Sequence, residues 1–485
     1  MPKNFTENLN NSFPNPLSFN NPQSPPLRWE NWGCFFTYEV KRSKIFKMED
    51  IIGKEFKCKE CGEIHKVDVK DIKYGSLNEI DEFIFKIYGK DKKILVLCDE
   101  ITYEVCGRKI CENLKYNSGS PFVLKPEKGK KIYAKYEYIE EIEKNIKDKD
   151  LILTCGTGTI TDLGKLAGDK NKIPVISFPT APSMNGYTSP VSAYIKDGVK
   201  ITSPVKVCEY VYIDEDIITN APIELIKAGF ADSLAKGFAN SDWKISSILT
   251  GEKFCGLPFK IVSETEKKYV NKGDLIKKRD KKIIKSIMKG LNLGGISMII
   301  AGSSSPASGG EHLISHFLDM YSHQNKIEPF AFHGLQVGTG VYISSLIYDL
   351  LRDFKTDEIC ERIKQRKIDY NEKFEYLCSL FPSGKNILKK IFDKKIKVVE
   401  VIKEKLPLKW EKIKKEAMPL VYSPYEIEKF LKKAECPLHL SEICNYKKLI
   451  KNAILLSRFI RDRITILDIA DEVGVLDEFV YKYLK

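Results

Sequence analysis

Four of the six histidines in the chain fall within one short stretch, where together they could bind a metal ion or a substrate. His312 and His316 are four residues apart, so a helix would place both imidazoles on one face. His333 opens a segment of small residues, 332–340, that could form a helix packed closely against a neighbour. Leu313 stands where the metalloprotease motif H-E-x-x-H has its general-base glutamate, so that motif is excluded. The spacing indicates a possible metal site.

A carboxylate ligand for this site is expected at Asp232, which lies in the small and apolar stretch 228–236. A helix there would carry one acidic residue on an otherwise apolar face. Histidine and carboxylate are the usual ligands of a catalytic zinc ion, which favours a site built from Asp232, His312 and His333. Asp232 could equally be a core acid paired with Lys236, four residues later.

A glycine-containing turn after the apolar strand 151–154 is a second candidate site. Its glycine amides could approach a pyrophosphate, the following helix terminus would favour an anion, and its threonines could donate hydroxyl hydrogen bonds. The residues of the turn are Cys155, Gly156, Thr157, Gly158, Thr159 and Ile160. The alternative is an ordinary tight turn, because the third glycine of G-x-G-x-x-G is missing.

Asp99 follows the apolar run Lys93–Cys98 and could bind the ribose hydroxyls of an adenosine. This interpretation slightly favours NAD over NADP. A carboxylate that caps a helix start together with Thr102 is an equally good interpretation.

Cys58, Cys61 and His65 are spaced like half of a zinc knuckle. A second C-x-x-C pair is missing, so a β-turn with free thiols is the more common meaning of such a segment.

The elements that position these residues fall into two groups. From residue 48 to 215, apolar runs such as 93–98, 151–154 and 174–178 alternate with helix-like stretches, as in parallel sheets covered on both faces. We therefore expect an α/β dinucleotide-binding domain with a mainly parallel sheet at 48–215.

From residue 216 to 485 the apolar residues recur at helical spacing, notably over 283–300 and 449–483, and Pro222 suits a first helical turn. We expect an all-α domain at 216–485 that binds metal and substrate. Residues 1–47, rich in Asn, Pro and Ser, are predicted to be a disordered extension, with translation starting at Met48 as a hypothesis.

The composition excludes several classes of protein. The 79 Lys and Arg exceed the 66 Asp and Glu, but the lysines are interleaved with glutamates, which indicates a solvated surface and no nucleic-acid partner. Without a long apolar run or a signal-peptide core, we expect no membrane insertion and a cytoplasmic location. The 13 cysteines indicate reduced thiols.

Five motifs together resemble the sn-glycerol-1-phosphate dehydrogenases, relatives of the iron-containing alcohol dehydrogenases and dehydroquinate synthases. The resemblance spans about residues 48–485 with the motifs in the family's order, and the P-T-A-P-S-M segment is the most specific. The motifs are the turn 156–162, the segment 178–189, the stretch 228–232, the segment 305–312 and the tripeptide Phe332-His333-Gly334.

The resemblance implies a dehydroquinate synthase-like fold and a site with defined roles. It implies that Asp232, His312 and His333 bind a divalent metal, either zinc or nickel with iron as a further candidate. His316 matches a substrate-contacting histidine. Dinucleotide contacts are implied at Gly156, Thr157, Gly158, Thr159, Ile160, Thr180, Ser183 and Ser189.

The implied reaction is the reversible NAD(P)H-dependent reduction of dihydroxyacetone phosphate to sn-glycerol 1-phosphate by metal-assisted hydride transfer, with His316 or a water it orients supplying the proton. The product would feed glycerophospholipid or ether-lipid synthesis, and the enzyme would be a homodimer or a higher homo-oligomer. Asn185, at a substrate-contacting position, replaces the family's usual aspartate, and Ser305 replaces its usual arginine. Alternatives are a glycerol or other alcohol dehydrogenase and a non-catalytic nucleotide-binding relative.

Overall fold

The computed structural model of the protein describes residues 48–126 and 132–484. The predicted extension at residues 1–47 lies outside the described residues.

A six-stranded parallel sheet occupies the first half of the chain, in the strand order β3-β10-β7-β6-β4-β5. Two antiparallel hairpins, β1–β2 and β8–β9, accompany it. The three predicted strands at 93–98, 151–154 and 174–178 are confirmed as β4, β6 and β7. The strands are β1 (Glu55–Lys57), β2 (Ile64–Lys66), β3 (Asp71–Tyr74), β4 (Lys93–Asp99), β5 (Ser118–Leu124), β6 (Leu151–Gly156), β7 (Val175–Pro179), β8 (Val191–Lys196), β9 (Val199–Pro204) and β10 (Tyr210–Ile213).

The central strands are apolar because helices cover both faces of the sheet. Every residue of β6 and of β7 is buried. Gly156 at the end of β6 pairs with Pro179 at the end of β7, so the turns that follow these strands lie at the same edge of the sheet. Ligands bind at this edge in open α/β folds.

The helices between the strands are short, whereas those after the last strand form the rest of the chain. The first group is α1 (Ile80–Tyr88), α2 (Glu100–Thr102), α3 (Arg108–Asn113), α4 (Glu137–Asn145) and α5 (Gly158–Asn171). The second group is α6 (Glu215–Asn220), α7 (Ile223–Thr250), α8 (Leu257–Glu266), α9 (Asp274–Lys277), α10 (Lys281–Ala301), α11 (Gly310–Gln324), α12 (His333–Arg352), α13 (Thr356–Gln365), α14 (Tyr370–Leu380), α15 (Lys385–Glu416), α16 (Pro424–Lys433), α17 (Lys447–Leu456), α18 (Ile466–Glu472) and α19 (Val475–Tyr483).

A parallel sheet followed by a helical half confirms the predicted fold class. The predicted boundary between residues 215 and 216 falls at the start of α6, and the division into domains there stays a prediction. Pro222 lies immediately before α7, at its N-cap. The helical pattern over 449–483 is interrupted, since α17, α18 and α19 are separate helices.

The helix α10 is long and apolar enough to cross a membrane by composition alone, but 78% of its apolar window is buried inside the fold. It packs against α8 and α7, so we interpret it as a core helix of the helical half.

Candidate functional site

Three helices bring Asp232, His312 and His333 together. Asp232 lies within α7, His312 in the first turn of α11, and His333 begins α12. One ligand atom from each side chain lies within 4.8 Å of those of the other two. The closest pair is Asp232 Oδ1 and His312 Nε2, which are 3.2 Å apart. The predicted ligand candidates therefore form one cluster, as a metal site requires.

Glycine permits the close approach of α12 to α7 that delivers His333. A Cβ built on Gly334 would lie 2.0 Å from the carbonyl oxygen of Ala228, a distance that real Cβ atoms do not adopt. The small-residue helix proposed from the sequence is therefore present, and it packs against the neighbour that carries Asp232.

Polar side chains next to the cluster contact Nδ1 of His312 and of His333 and orient both rings. Glu311 Oε1 lies 2.8 Å from His312 Nδ1. Ser315 Oγ lies 3.1 Å from His333 Nδ1, and Asp319 Oδ2 lies 3.7 Å from the same nitrogen. These acceptors suit a protonated Nδ1 on each ring and leave Nε2 as the ligand atom, which is the usual arrangement around protein-bound metals.

The donor set fits a divalent cation. Burial by itself lowers the pKa of His312, but Asp232 and Glu311 outweigh burial and raise it, so a positive charge beside these two carboxylates is favoured. Asp232 is 1% exposed and His312 is 5% exposed, so water offers little compensation. A divalent cation held by Asp232, His312 and His333 would take the place of the proton on His312 Nε2 and supply this positive charge.

The Asp232 carboxyl is held in its charged form. Burial by itself raises its pKa, but Lys236 and the two histidines outweigh burial and bring the pKa below its ordinary range. Lys236 Nζ contacts Asp232 Oδ2 at 3.1 Å. The ion pair with Lys236 expected from the sequence is therefore present at one carboxylate oxygen, while the other oxygen faces the cluster, where a ligand role stays a prediction.

His316 lies beside this cluster on the same helix as His312. Its ring is 5.6 Å from that of His333, centroid to centroid, and nearly parallel to it. Burial, with Lys200 next in effect, keeps the pKa of His316 well below its ordinary value, so the imidazole is neutral. Its Nδ1 contacts no polar protein atom among the described residues.

A cleft of about 1870 Å³ joins His316 and His333 to the glycine turn. Its volume exceeds that of a typical small-molecule pocket, so it has room for a dinucleotide and a small substrate. The predicted dinucleotide residues that line it are Asp99, Thr157, Gly158, Thr159, Thr180 and Ser183. The helix α5 begins at Gly158, so its N-terminus lies at the cleft, where an anion is favoured.

The other predicted dinucleotide residues lie behind this surface. The side chain of Ile160 packs into the core beneath the turn, next to Gly156. Ser189 Oγ accepts a hydrogen bond from Lys165 at 2.9 Å. Asp99 accepts hydrogen bonds from the backbone and hydroxyl of Thr102, as the capping interpretation required, although it also borders the cleft.

Sequence reasoning missed several residues that build this region. Lys165 is fully buried, pairs with Asp162 at 2.9 Å and donates to Gly186 O at 2.8 Å, tying α5 to the loop after β7. Glu311 and Asp319 were also missed. Their signal was adjacency, because Glu311 precedes His312 and Asp319 follows His316 by three residues, on one face of the same helix.

The two departures from the family pattern have defined surroundings. Asn185 and Lys236 both lie next to Gly294 of α10, and Asn185 is not among the residues that line the cleft. Ser305 lies at a separate cavity of about 270 Å³. Arg463 contacts the same turn, donating to Ser304 Oγ at 2.6 Å and to the carbonyl of Ser308, so a guanidinium reaches this turn from elsewhere in the chain.

Comparison with known proteins identifies relatives. Residues 71–222 match the family described as iron-containing alcohol dehydrogenase. Glycerol-1-phosphate dehydrogenase [NAD(P)+] from Thermococcus kodakarensis is 32% identical over 291 residues, which is 58% of this chain and 77% of that protein. The enzyme of the same name from Halalkalibacterium halodurans is 30% identical over 60% of this chain and 73% of its own length.

Solved structures share the fold. A probable glycerol dehydrogenase from Sinorhizobium meliloti superposes with a TM-score of 0.53 at 14% identity, covering 85% of this chain and 97% of that one. Sulfoacetaldehyde reductase from Bifidobacterium kashiwanohense, in complex with NAD+, gives a TM-score of 0.55 at 12% identity, covering 86% and 97%. These structures show the fold, and the sequence relatives establish that the chain belongs to the glycerol-1-phosphate dehydrogenase family of metal-dependent NAD(P) oxidoreductases.

Proposed function

We propose that this enzyme reduces dihydroxyacetone phosphate to sn-glycerol 1-phosphate with NADH or NADPH, reversibly. The observation that carries the proposal is the convergence of Asp232, His312 and His333 beside the cleft into which α5 directs its N-terminus. The names of its relatives, glycerol-1-phosphate dehydrogenase [NAD(P)+], support the choice of substrate. On this proposal the product supplies glycerophospholipid or ether-lipid synthesis.

The residues divide between two bound groups. Asp232, His312 and His333 would hold the metal, for which zinc and nickel are the candidates and iron a further one. The cleft residues Thr157, Gly158, Thr159, Thr180 and Ser183 would hold the dinucleotide, with Asp99 at its ribose. When bound, the metal supplies a Lewis acid for the substrate carbonyl and the nicotinamide supplies the hydride.

In this proposal His316 has a role in proton transfer to the substrate. A neutral imidazole offers one N–H donor and one acceptor, so His316 can hydrogen-bond the substrate oxygen and orient the water that supplies the proton. The ring of His316 lies 6.0 Å from that of His312 and 5.6 Å from that of His333, so a substrate oxygen at the cluster would lie beside His316 as well. We assign Asn185 to substrate positioning, since it lies next to Gly294, as does Lys236, which pairs with Asp232.

Two cations near His316 suit a phosphorylated substrate. Lys200 lines the cleft and Arg461 contacts the backbone of Lys200 from behind this surface, and both charges add to burial in lowering the pKa of His316. Lys200 already pairs with Asp319 at 3.0 Å. Among the residues that the structure describes, no carboxylate forms an ion pair with Arg461, which donates instead to the carbonyl of Lys200 at 2.7 Å. A substrate phosphate would supply the missing negative charge.

The test is an assay of NADH and NADPH oxidation on chelator-stripped protein, with zinc, nickel or iron added back. Metal-dependent turnover of dihydroxyacetone phosphate, with little or none of dihydroxyacetone, is the expected result. Chiral analysis of the product then distinguishes sn-glycerol 1-phosphate from its enantiomer. Turnover of only the unphosphorylated substrate would instead indicate a glycerol or alcohol dehydrogenase.

A further inference from the structure

Outside the catalytic cluster, four metal-binding side chains meet where the first hairpin contacts the segment between α7 and α8. Cys58, Cys61 and His65 belong to the β1–β2 hairpin, and Cys255 comes from the other side of the fold, 197 residues after Cys58. One ligand atom from each lies within 4.8 Å of the others. The spacing in the sequence indicated only Cys58, Cys61 and His65, and the fold brings Cys255 to them as a fourth candidate ligand.

The separations match those around one tetrahedral ion. The sulfurs of Cys58 and Cys255 are 3.6 Å apart, whereas tetrahedral zinc with bonds of about 2.3 Å to sulfur places two sulfurs ~3.8 Å apart. Cys61 Sγ and Cys255 Sγ lie 3.2 and 3.7 Å from His65 Nε2. The sulfur pair is also far longer than a disulfide bond of about 2.05 Å.

The backbone of the hairpin turn is arranged as around a bound metal. The amide of Gly62 donates to Cys58 O at 2.9 Å, and Gly62 has a φ of +78°, the left-handed conformation that glycine permits. The amide of Glu60 lies 3.4 Å from Cys58 Sγ. Such N–H groups support a thiolate, so the turn can hold the sulfur in its ligand form.

This hairpin also needs a cross-link. Each of its strands has three residues, of which none is buried, and an isolated two-stranded hairpin is marginal in water. Two ion pairs reach across the same contact, Lys253 with Glu63 at 2.8 Å and Lys260 with Glu60 at 2.6 Å; the first is largely exposed and the second partly exposed, so they contribute little.

We propose that Cys58, Cys61, His65 and Cys255 form a structural zinc site that fastens the hairpin to the helical half. Four protein ligands leave no open position, which is the mark of a structural rather than a catalytic zinc. On binding, the three thiols release their protons to solvent, so the ion is held by three thiolates and one neutral imidazole.

Metal analysis of the full-length protein tests the site without any assay of activity. The wild type should retain one zinc ion that an Asp232→Ala/His312→Ala variant keeps and that Cys61→Ser loses. Cys360→Ser is the matched control, since Cys360 is a partly buried thiol away from the cluster. Equal zinc content in Cys61→Ser and Cys360→Ser, or iron in place of zinc, would overturn the assignment.

Cobalt substitution of the wild type makes the test independent of variant folding. Three thiolate ligands should give intense sulfur-to-cobalt charge-transfer absorption in the near ultraviolet, which the Asp232, His312 and His333 site lacks because it has no sulfur. Absence of this absorption in cobalt-loaded protein, or a Cys58–Cys255 disulfide in protein purified without reductant, would contradict the proposal. Neither outcome bears on the reduction of dihydroxyacetone phosphate, so the two proposals fail separately.

Discussion

Asp232 uses its two carboxylate oxygens for different partners. Oδ2 pairs with Lys236 at 3.1 Å, and Oδ1 faces His312 Nε2 at 3.2 Å. The lysine keeps the carboxylate charged in a buried position, and the charged carboxylate is the form that binds a metal. A residue that completes a core ion pair can therefore also be a ligand.

At His316, replacement by alanine separates a proton-transfer role from a ligand role. We expect kcat of the His316→Ala variant to fall by about 10²-fold, the usual contribution of a positioned acid–base group, while metal content stays unchanged. Steady-state kinetics and elemental analysis of the same preparation measure both. His439→Ala, remote from the cluster, serves as control. An equal loss of metal and turnover would make His316 a ligand.

At Arg461, replacement by leucine tests the phosphate contact. We expect KM for dihydroxyacetone phosphate to rise at least tenfold, since a hydrogen bond to a charged group contributes about 1.5–3 kcal/mol. Activity on dihydroxyacetone, however small, should not change, and Arg461→Lys should restore part of the affinity. If KM is unaffected, the phosphate binds elsewhere in the cleft.

Residue types and spacing were enough to nominate Asp232, His312 and His333, because acids and histidines are rare in small, apolar stretches. They could not reveal Cys255, which stands alone in the sequence and meets the hairpin only through the fold. The burial of Lys165 could not be predicted either, because nothing in the sequence distinguishes a buried lysine from the many lysines on the surface.

Among the elements, α7 and α12 approach so closely that backbone meets backbone. Gly334, which follows the proposed ligand His333, lies against the carbonyl of Ala228, which is four residues before the proposed ligand Asp232. The close approach of the two proposed metal ligands therefore depends on the absence of a side chain at Gly334.

Gly334→Ala should push α12 away from α7 and misplace His333. Overpacking of this kind costs about 1–3 kcal/mol, and we expect a loss of metal affinity of roughly tenfold or more with a lower melting temperature. Ser344→Ala on the same helix adds no volume and is the control. Chelator competition and thermal unfolding provide the readouts, and wild-type metal affinity in Gly334→Ala would contradict this account.

Strands were predicted well where both faces of the sheet are covered, as in β4, β6 and β7, because burial makes them continuously apolar. The break between α17 and α18 was not predicted. Arg458 lies there, fully buried, and contacts Asp468, Asp471 and Glu472. The spacing of apolar residues does not reveal such an ion cluster, because the apolar residues around it still recur at helical spacing.

For the molecule as a whole, Glu266 should make stability depend on pH. Burial raises its pKa from 4.5 to about 8, against smaller opposing effects of the Tyr422 hydroxyl, Lys236 and Lys267. The folded chain holds this proton more tightly than the unfolded chain does. Its contribution to the free energy of unfolding is therefore full below pH 4.5 and is lost as pH rises to about 8, at about 1.4 kcal/mol per pKa unit at most.

Glu266→Gln should remove this decline, because glutamine stays neutral at every pH in the window. Denaturant unfolding at several pH values between about 5 and 9 measures the slope of stability against pH. Glu264→Gln, two residues away on the same helix and partly exposed, should keep the wild-type slope. An unchanged slope in Glu266→Gln would show that Glu266 is ionised throughout.

The strand order has a consequence for synthesis on the ribosome. The edge strand β3 (Asp71–Tyr74) pairs with β10 (Tyr210–Ile213), the last strand of the sheet to be made. At the usual rate of about 5–20 residues per second, β3 leaves the ribosome roughly ten seconds before its partner exists. During that interval the nascent chain exposes a strand without its partner. We therefore expect this early segment to be the part of the growing chain that chaperones bind or that aggregates.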